Sequence, residues 1–430
     1  MIPLVLTPSC RPHSRNAKYQ GLLSKHASPN DVTIMQVLYH ICPSQSRYSP
    51  LCNITLHASL PKSKSSEPRT ITNPTMLPTS SAQLTCLCGQ ISLPGTSLSH
   101  PTFPLPSTIC HCNPCRYTSG GLLPAFACLD SAPPLEIKEK LAKYQFTPSC
   151  VRYFCKKCGC QCFVEHPQAE EEWFCTAGMI EIDGKEEGRA EGAKEVVQLT
   201  GHMYIDDLRD GGVVPVFLPI TATGASEPEL YCARDGTSKL SQQDLDNAVQ
   251  TSHQHPTPGP EDRLEARCHC GGVDLRIKRA EYDAEPEGVR NLMSRDDPHR
   301  YLARFCACRS CRLSMGFSLC PWTYVALSSV INAKTSQPVL FGADAEKEGA
   351  NEGLKLQHHQ SSDGVWRSFC GGCGASVFYY TSDESRSNVV DVAVGILRAK
   401  SGSLAREWVR WAEGEGKEMP NRSNAGSKSN

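Results

Sequence analysis

Two short segments carry sulfur donors at a spacing that a metal ion requires. TICHCNPCRYTSG places Cys110, Cys112 and Cys115 within six positions, and FCACRSC places Cys306, Cys308 and Cys311 in the same pattern. Three protein ligands with an open fourth position describe a catalytic zinc. Ligands drawn from one loop sit on one face of the ion and leave the other face exposed. An external thiol suits the fourth corner, because a zinc-bound thiol loses its proton at neutral pH. With three sulfurs bound, the ion is a modest Lewis acid, better at presenting a nucleophilic sulfur than at ionising water. The alternative is a fourth protein sulfur, from Cys128, Cys150 or Cys175 in the first half or Cys320 in the second. Such a ligand would close the site and make it structural.

Each triplet is flanked by a second kind of cluster. Cys86-Leu-Cys88-Gly89 precedes the first and Cys155-x-x-Cys158-Gly159 follows it; Cys268-His-Cys270-Gly271 and Cys370-x-x-Cys373-Gly374 bracket the second. An early CxC and a late CxxC together supply four thiolates, which is the closed tetrahedral site of structural zinc. Cys86, Cys88, Cys155 and Cys158 would staple one domain, and Cys268, Cys270, Cys370 and Cys373 another. Each staple is worth on the order of 10 kcal/mol of folding free energy. Cys160 and Cys162 crowd the first late pair, either as alternates to Cys158 or as small buried residues. Motif spacing is constant while the gaps between motifs differ, as expected when loops accept insertions and ligand geometry does not.

These clusters must be held by short strands. GQISL and GGVDLRI alternate apolar and polar residues after each CxC, and an aromatic precedes each CxxCG turn in RYFCKKCG and RSFCGGCG. NVVDVAVGIL reads as a further strand, and Leu404, Trp408 and Trp411 have the spacing of a short helix. The expected fold class is mostly β, two tandem zinc-stapled complex β domains with flanking disordered tails. The expected boundaries are a disordered or targeting segment over 1–80, a first zinc domain over 81–231, a polar linker over 232–261, a second zinc domain over 262–415 and a disordered tail over 416–430. EIDGKEEGRAEGAKE reads as a surface loop or hairpin tip.

The chain has 430 residues, a net charge of −1 and 24 cysteines. That charge offers no argument for nucleic acid or an anionic membrane, no RNA-binding signature appears, and VVPVFLPI is only strand-sized. Neighbouring cysteines on one loop rarely reach disulfide geometry, so zinc in a reducing, cytoplasmic setting is expected. In the first 80 residues Arg11, Arg15, Lys18, Lys25, Arg47, Lys62, Lys64 and Arg69 outnumber Asp31 and Glu67. That bias keeps a mitochondrial transit peptide open beside disorder or a misplaced start.

CLCG, CHCNPCR and FCKKCG, and again CHCGG, CACRSCR and FCGGCG, resemble the glutathione-dependent formaldehyde-activating enzyme family, which includes centromere protein V. The resemblance implies two tandem copies of a tent-like β fold with two zinc ions per domain. It also implies carbon–sulfur lyase chemistry on glutathione–aldehyde adducts such as S-hydroxymethylglutathione. By that likeness the triplets Cys110, Cys112, Cys115 and Cys306, Cys308, Cys311 hold the catalytic zinc where the glutathione sulfur binds. The expected partners are a small thiol such as glutathione and an aldehyde; the alternative is a non-enzymatic zinc-binding interaction module. Ala307 stands where the first triplet has His111, and the first copy is the preferred active one. His111 must point away from a metal held by its neighbours, so a packing or supporting role is expected. Arg116 and Arg312 are candidate partners for thiolate or substrate charge, with solvation as the alternative. No chemistry is assigned to His202, and His253, His255, His358 and His359 are expected in exposed polar loops.

Overall fold

The computed structural model describes residues 77–167, 172–182, 196–217, 228–233, 238–252, 254–386 and 388–412. The segment 1–76, most of the charged EIDGKEEGRAEGAKE stretch, His253 and the tail 413–430 lie outside the described residues. Residues 77–80 are tied to the body: Phe103 N donates to Leu77 O at 2.8 Å and Thr79 N to Pro101 O at 2.9 Å.

The molecule is mostly β. In the first half, five antiparallel strands run in the order Phe126–Cys128, Glu172–Thr176, Gln161–His166, Cys150–Cys155, Leu141–Thr147. In the second half, Leu356–Ser362, Val365–Cys370, Ser376–Thr381, Val389–Ala393, Cys320–Ala326, Tyr301–Cys306 and Val409–Trp411 form a seven-stranded sheet. Side-chain alternation explains the edge strand Leu141–Thr147, where Ala142, Tyr144 and Phe146 turn inward while Lys143, Gln145 and Thr147 face water. Cys150–Cys155 is buried throughout, as a strand covered on both faces must be. A small three-stranded sheet carries each CxC turn: Ser92–Pro94, Ala82–Thr85 and Ile180–Ile182 in one half, Arg263–Arg267, Asp274–Lys278 and Val330–Asn332 in the other.

The halves interlock through glycines. Gly120 (φ 79°) ends the first triplet helix, Asn113–Ser119, and a Cβ there would sit 2.3 Å from Ser376 O. Gly316 (φ 87°) ends the second, Arg309–Met315, where a Cβ would sit 2.2 Å from Gln161 O. Left-handed backbone and so close an approach both require glycine. Gly395 N donates to Gly120 O and Gly178 N to Gly316 O, each at 2.9 Å. Each CxC turn also bonds to the opposite triplet helix: Leu87 N donates to Leu313 O at 3.1 Å and His269 N to Tyr117 O at 3.0 Å.

Several elements differ from expectation. The stretch read as a linker contains the helix Gln242–Ser252, whose buried Leu245 packs against Ile205, Leu208 and Val214. Within VVPVFLPI, Val214–Phe217 is helical. Asn388–Leu397 is a strand only over Val389–Ala393, followed by a 3-10 turn. Leu404, Trp408 and Trp411 do not form a helix. Asp210 accepts from Leu404 N and Ser403 Oγ, Ala405 takes φ 49°, and Val409–Trp411 pairs in parallel with Tyr301–Ala303. A buried carboxylate bonded to backbone thus overrides helical periodicity. Among the described residues no helix is long and apolar enough to cross a membrane.

Candidate metal centre

The structure brings each expected set of sulfurs together. Cys86, Cys88, Cys155 and Cys158 lie within 4.8 Å of one another, and so do Cys268, Cys270, Cys370 and Cys373. Sulfur separations of 3.5 Å for Cys86–Cys88 and 3.6 Å for Cys88–Cys155 approach the roughly 3.8 Å edge of a tetrahedron with about 2.3 Å zinc–sulfur bonds. Cys268–Cys270 at 3.6 Å and Cys268–Cys370 at 3.7 Å match equally well. No disulfide forms among the described cysteines. Backbone amides support the sulfurs, Ile91 N on Cys86 at 3.4 Å and Val273 N on Cys268 at 3.2 Å. The glycine after each turn, Gly89, Gly159, Gly271 and Gly374, has φ between 70° and 75°. The donor sets therefore fit a closed four-sulfur metal site.

The two trios are built alike. Strands Leu105–Cys110 and Tyr301–Cys306 deliver the first sulfur, and the second caps a short helix whose first turn supplies the third. Cys112 Sγ accepts from Cys115 N at 3.3 Å, and Cys308 Sγ from Cys311 N at 3.5 Å. Cys110 lies 3.4 Å from both Cys112 and Cys115, and Cys306 lies 3.3 Å from Cys308. Among the described residues no fourth Cys, His or carboxylate joins either trio. Cys128, Cys150, Cys175 and Cys320 stay outside these groups, as do Cys160 and Cys162, both fully buried. Burial pushes the thiols of Cys150 and Cys175 up, to about 11 and about 12, so they favour the neutral form of a core residue.

A buried guanidinium faces each trio. Arg152 Nη2 donates to Cys115 Sγ at 2.9 Å, and Arg367 Nη1 donates to Cys311 Sγ at 3.6 Å and to Ser314 Oγ at 3.1 Å. Cys115 and Cys311 are held well below the ordinary thiol range by bonds from their neighbouring cysteines, with the arginines lowering them further. The trio-facing arginines sit three residues before the CxxC pair, in VRYFC and WRSFC. That shared offset was available in the sequence, yet Arg116 and Arg312 were the candidates it suggested. Those two instead clamp the halves together. Arg116 donates to Leu397 O at 2.7 Å, to Gly395 O and to Asn113 Oδ1. Arg312 donates to Gly178 O, to Ile180 O at 3.1 Å and to Glu181 at 3.0 Å.

His111 is buried and turned away from the trio. Its Nε2 and Nδ1 of the buried His202 share a 2.8 Å hydrogen bond, with the rings stacked 5.1 Å apart. Burial lowers both imidazoles, His202 to about 4, so this is a neutral pair bracing the loop. His358 and His359 lie half-buried in strand Leu356–Ser362 rather than in exposed loops, and His255 is half-buried. His358 Nδ1 bonds Ser368 Oγ at 2.8 Å.

Beyond the trios the surroundings diverge. Arg152 lies 4.5 Å from the Phe146 ring and 5.4 Å from that of Phe126. Beside Phe146, the Tyr144 hydroxyl and His269 Nδ1 share a 2.6 Å hydrogen bond. Arg367 lies 4.9 Å from the Tyr379 ring, which also faces Arg386 at 5.7 Å; Arg386 pairs with the buried Asp391. Burial raises Asp391 to about 6, despite that partner.

The family model of the glutathione-dependent formaldehyde-activating enzyme matches residues 81–196. That stretch contains the first pair of knuckles, the CxC and CxxC turns of Cys86, Cys88, Cys155 and Cys158, with the first trio and Arg152. No curated protein matches the chain. The match points to glutathione- or formaldehyde-related chemistry in the first half, on a mostly β framework whose cysteine groups can hold metal.

Proposed function

We propose that this chain carries two tandem zinc domains of the formaldehyde-activating type, two zinc ions in each, and acts as a carbon–sulfur lyase on thiol–aldehyde adducts such as S-hydroxymethylglutathione. One observation carries the reading: each trio gathers three sulfurs, with no fourth protein donor among the described residues, beside a buried arginine. Cys86, Cys88, Cys155 and Cys158, with Cys268, Cys270, Cys370 and Cys373, would hold the structural ions. Cys110, Cys112 and Cys115, with Cys306, Cys308 and Cys311, would hold the others. Zinc there would keep an incoming thiol in its thiolate form.

The chain's own groups prepare for that guest. With a divalent ion held there, three thiolates would leave a single negative charge, which the arginine would offset at short range in a low-dielectric setting. A further anionic sulfur then approaches a site near neutrality. In the synthetic direction the thiol sulfur bonds to the aldehyde carbon, the carbon–oxygen π bond opens, and the oxygen takes up the proton the thiol gave up. The reverse steps cleave the adduct.

Purified protein, glutathione and formaldehyde, followed by exchange NMR of S-hydroxymethylglutathione, test the reading. Exchange faster than background that Cys112→Ala returns to background supports it. Rates equal to the uncatalysed reaction, with Cys112→Ala indistinguishable from the parent, would remove it.

A further inference from the structure

A relay of side-chain contacts links the first trio to the opposite half of the chain. His269 lies between Cys268 and Cys270 on the second half's CxC turn, yet its ring packs on first-half residues. Its Nδ1 is 2.6 Å from the Tyr144 hydroxyl, and its ring centroid is 5.1 Å from that of Phe146. Phe146 stacks on Arg152, and Arg152 donates to Cys115, so an unbroken line of contacts joins His269 to the trio. The backbone fixes this placement, because His269 N donates to Tyr117 O on the first triplet helix. Tyr144, Phe146 and His269 are all half-buried, so this cluster reaches the surface beside a deeply buried arginine.

The corresponding places at the second trio are different. Leu87 makes the equivalent backbone bond, Leu87 N to Leu313 O. His359 stands opposite Arg367 in its strand pair as Tyr144 stands opposite Arg152, which puts Ser361 in the place of Phe146. One trio is therefore edged by a phenol, an imidazole and a phenyl ring. The other is edged by an aliphatic chain, an imidazole and a hydroxymethyl group.

We propose that Tyr144 and His269 are specificity-determining residues of the first trio, selecting thiols whose tail carries amide or carboxylate groups, with His269 supplied across the interface by the second half. The phenol and imidazole offer hydrogen bonds to such a tail, and the Phe146 face offers a flat apolar rest for its backbone. The inference rests on the reading that the trio binds an external thiol, and it adds which part of the guest is recognised and by what.

Calorimetric titration of the zinc-loaded protein with glutathione and with ethanethiol separates the two ideas, because ethanethiol offers the sulfur without the polar tail. Tyr144→Phe and His269→Asn should each weaken glutathione binding about tenfold, near 1.4 kcal/mol, and leave ethanethiol affinity unchanged. Both variants touch the Cys268–Cys270 turn, Tyr144 through its bond to His269, so a zinc count on each tests whether the second half's four-sulfur site still holds its ion. Equal weakening of both thiols, or no weakening of either, overturns the proposal while leaving thiol binding intact. Failure of the parent protein to bind either thiol overturns both.

Discussion

The two trios share sulfurs, helix and arginine, but not what lies behind the arginine. Behind Arg152 the first trio has aromatic rings, Phe126 and Phe146, and the strand position paired with Phe174 is Val164. Behind Arg367 the second trio has Tyr379, Arg386, Tyr324 and the buried Asp391, with Tyr379 paired to Asp391 across the sheet. A cation among rings keeps its charge directed at the sulfurs. A cation next to a second arginine and a carboxylate shares its field with them. The comparison teaches that two matching ligand sets can carry different electrostatic support, with Arg152 at 2.9 Å from its sulfur and Arg367 at 3.6 Å.

The largest expected effect concerns the sulfurs themselves. Cys115→Ala should abolish adduct exchange and remove one zinc, whereas Cys311→Ala should remove one zinc and leave most of the exchange; equal loss from both would erase the distinction. Arg152→Ala should cost about 10- to 100-fold in exchange or in zinc affinity at the first trio, as loss of a group supporting a metal ligand does. Arg367→Ala should change exchange far less, and competition with a chelator would report both affinities. Gly120→Ala and Gly316→Ala should each destabilise by several kcal/mol and to a similar extent, because both combine left-handed backbone with contact against a carbonyl across the interface. Chemical denaturation measures this, and unequal losses would show that the interlock is lopsided.

The smallest effect sets the halves against each other through pH. His202 is lowered to about 4 from its ordinary 6.5, so the unfolded chain takes up the proton first. Its contribution to stability is therefore lost as pH falls from 6.5 through 4. Asp391 is raised to about 6 from 3.8, so its contribution is lost as pH rises through 6. Between pH 7 and 5.5, His202→Asn should lose less thermal stability on acidification than the parent, and Asp391→Asn should lose more. Each difference is on the order of 1 kcal/mol. Identical pH profiles would show that neither group titrates as its burial requires.

The ligand sets were legible because metal geometry is written in local spacing: CxC and CxxC fix the sulfurs within a few bonds of backbone. The arginines that face them share an offset before each CxxC, yet nothing in that offset pointed to the trio, because they come from strands far along the chain and reach it only once the sheet has formed. Arg116 and Arg312 misled because they follow the ligands in sequence, whereas a helix turns them outward to the other half's carbonyls. His111 was expected to support rather than ligate, and its bond to His202 agrees. The helix Gln242–Ser252 was hidden because only Leu245 in it is a fully buried apolar side chain. Polar composition alone made that stretch look like a linker.

The bonds from each CxC turn to the opposite helix cross over, Leu87 to Leu313 and His269 to Tyr117. Under the proposed zinc occupancy, a chelator that strips the four-sulfur site of one half would thereby slacken the three-cysteine loop of the other. Scarcity of the metal should thus silence the molecule as a pair, since neither half rests on its own foundations alone.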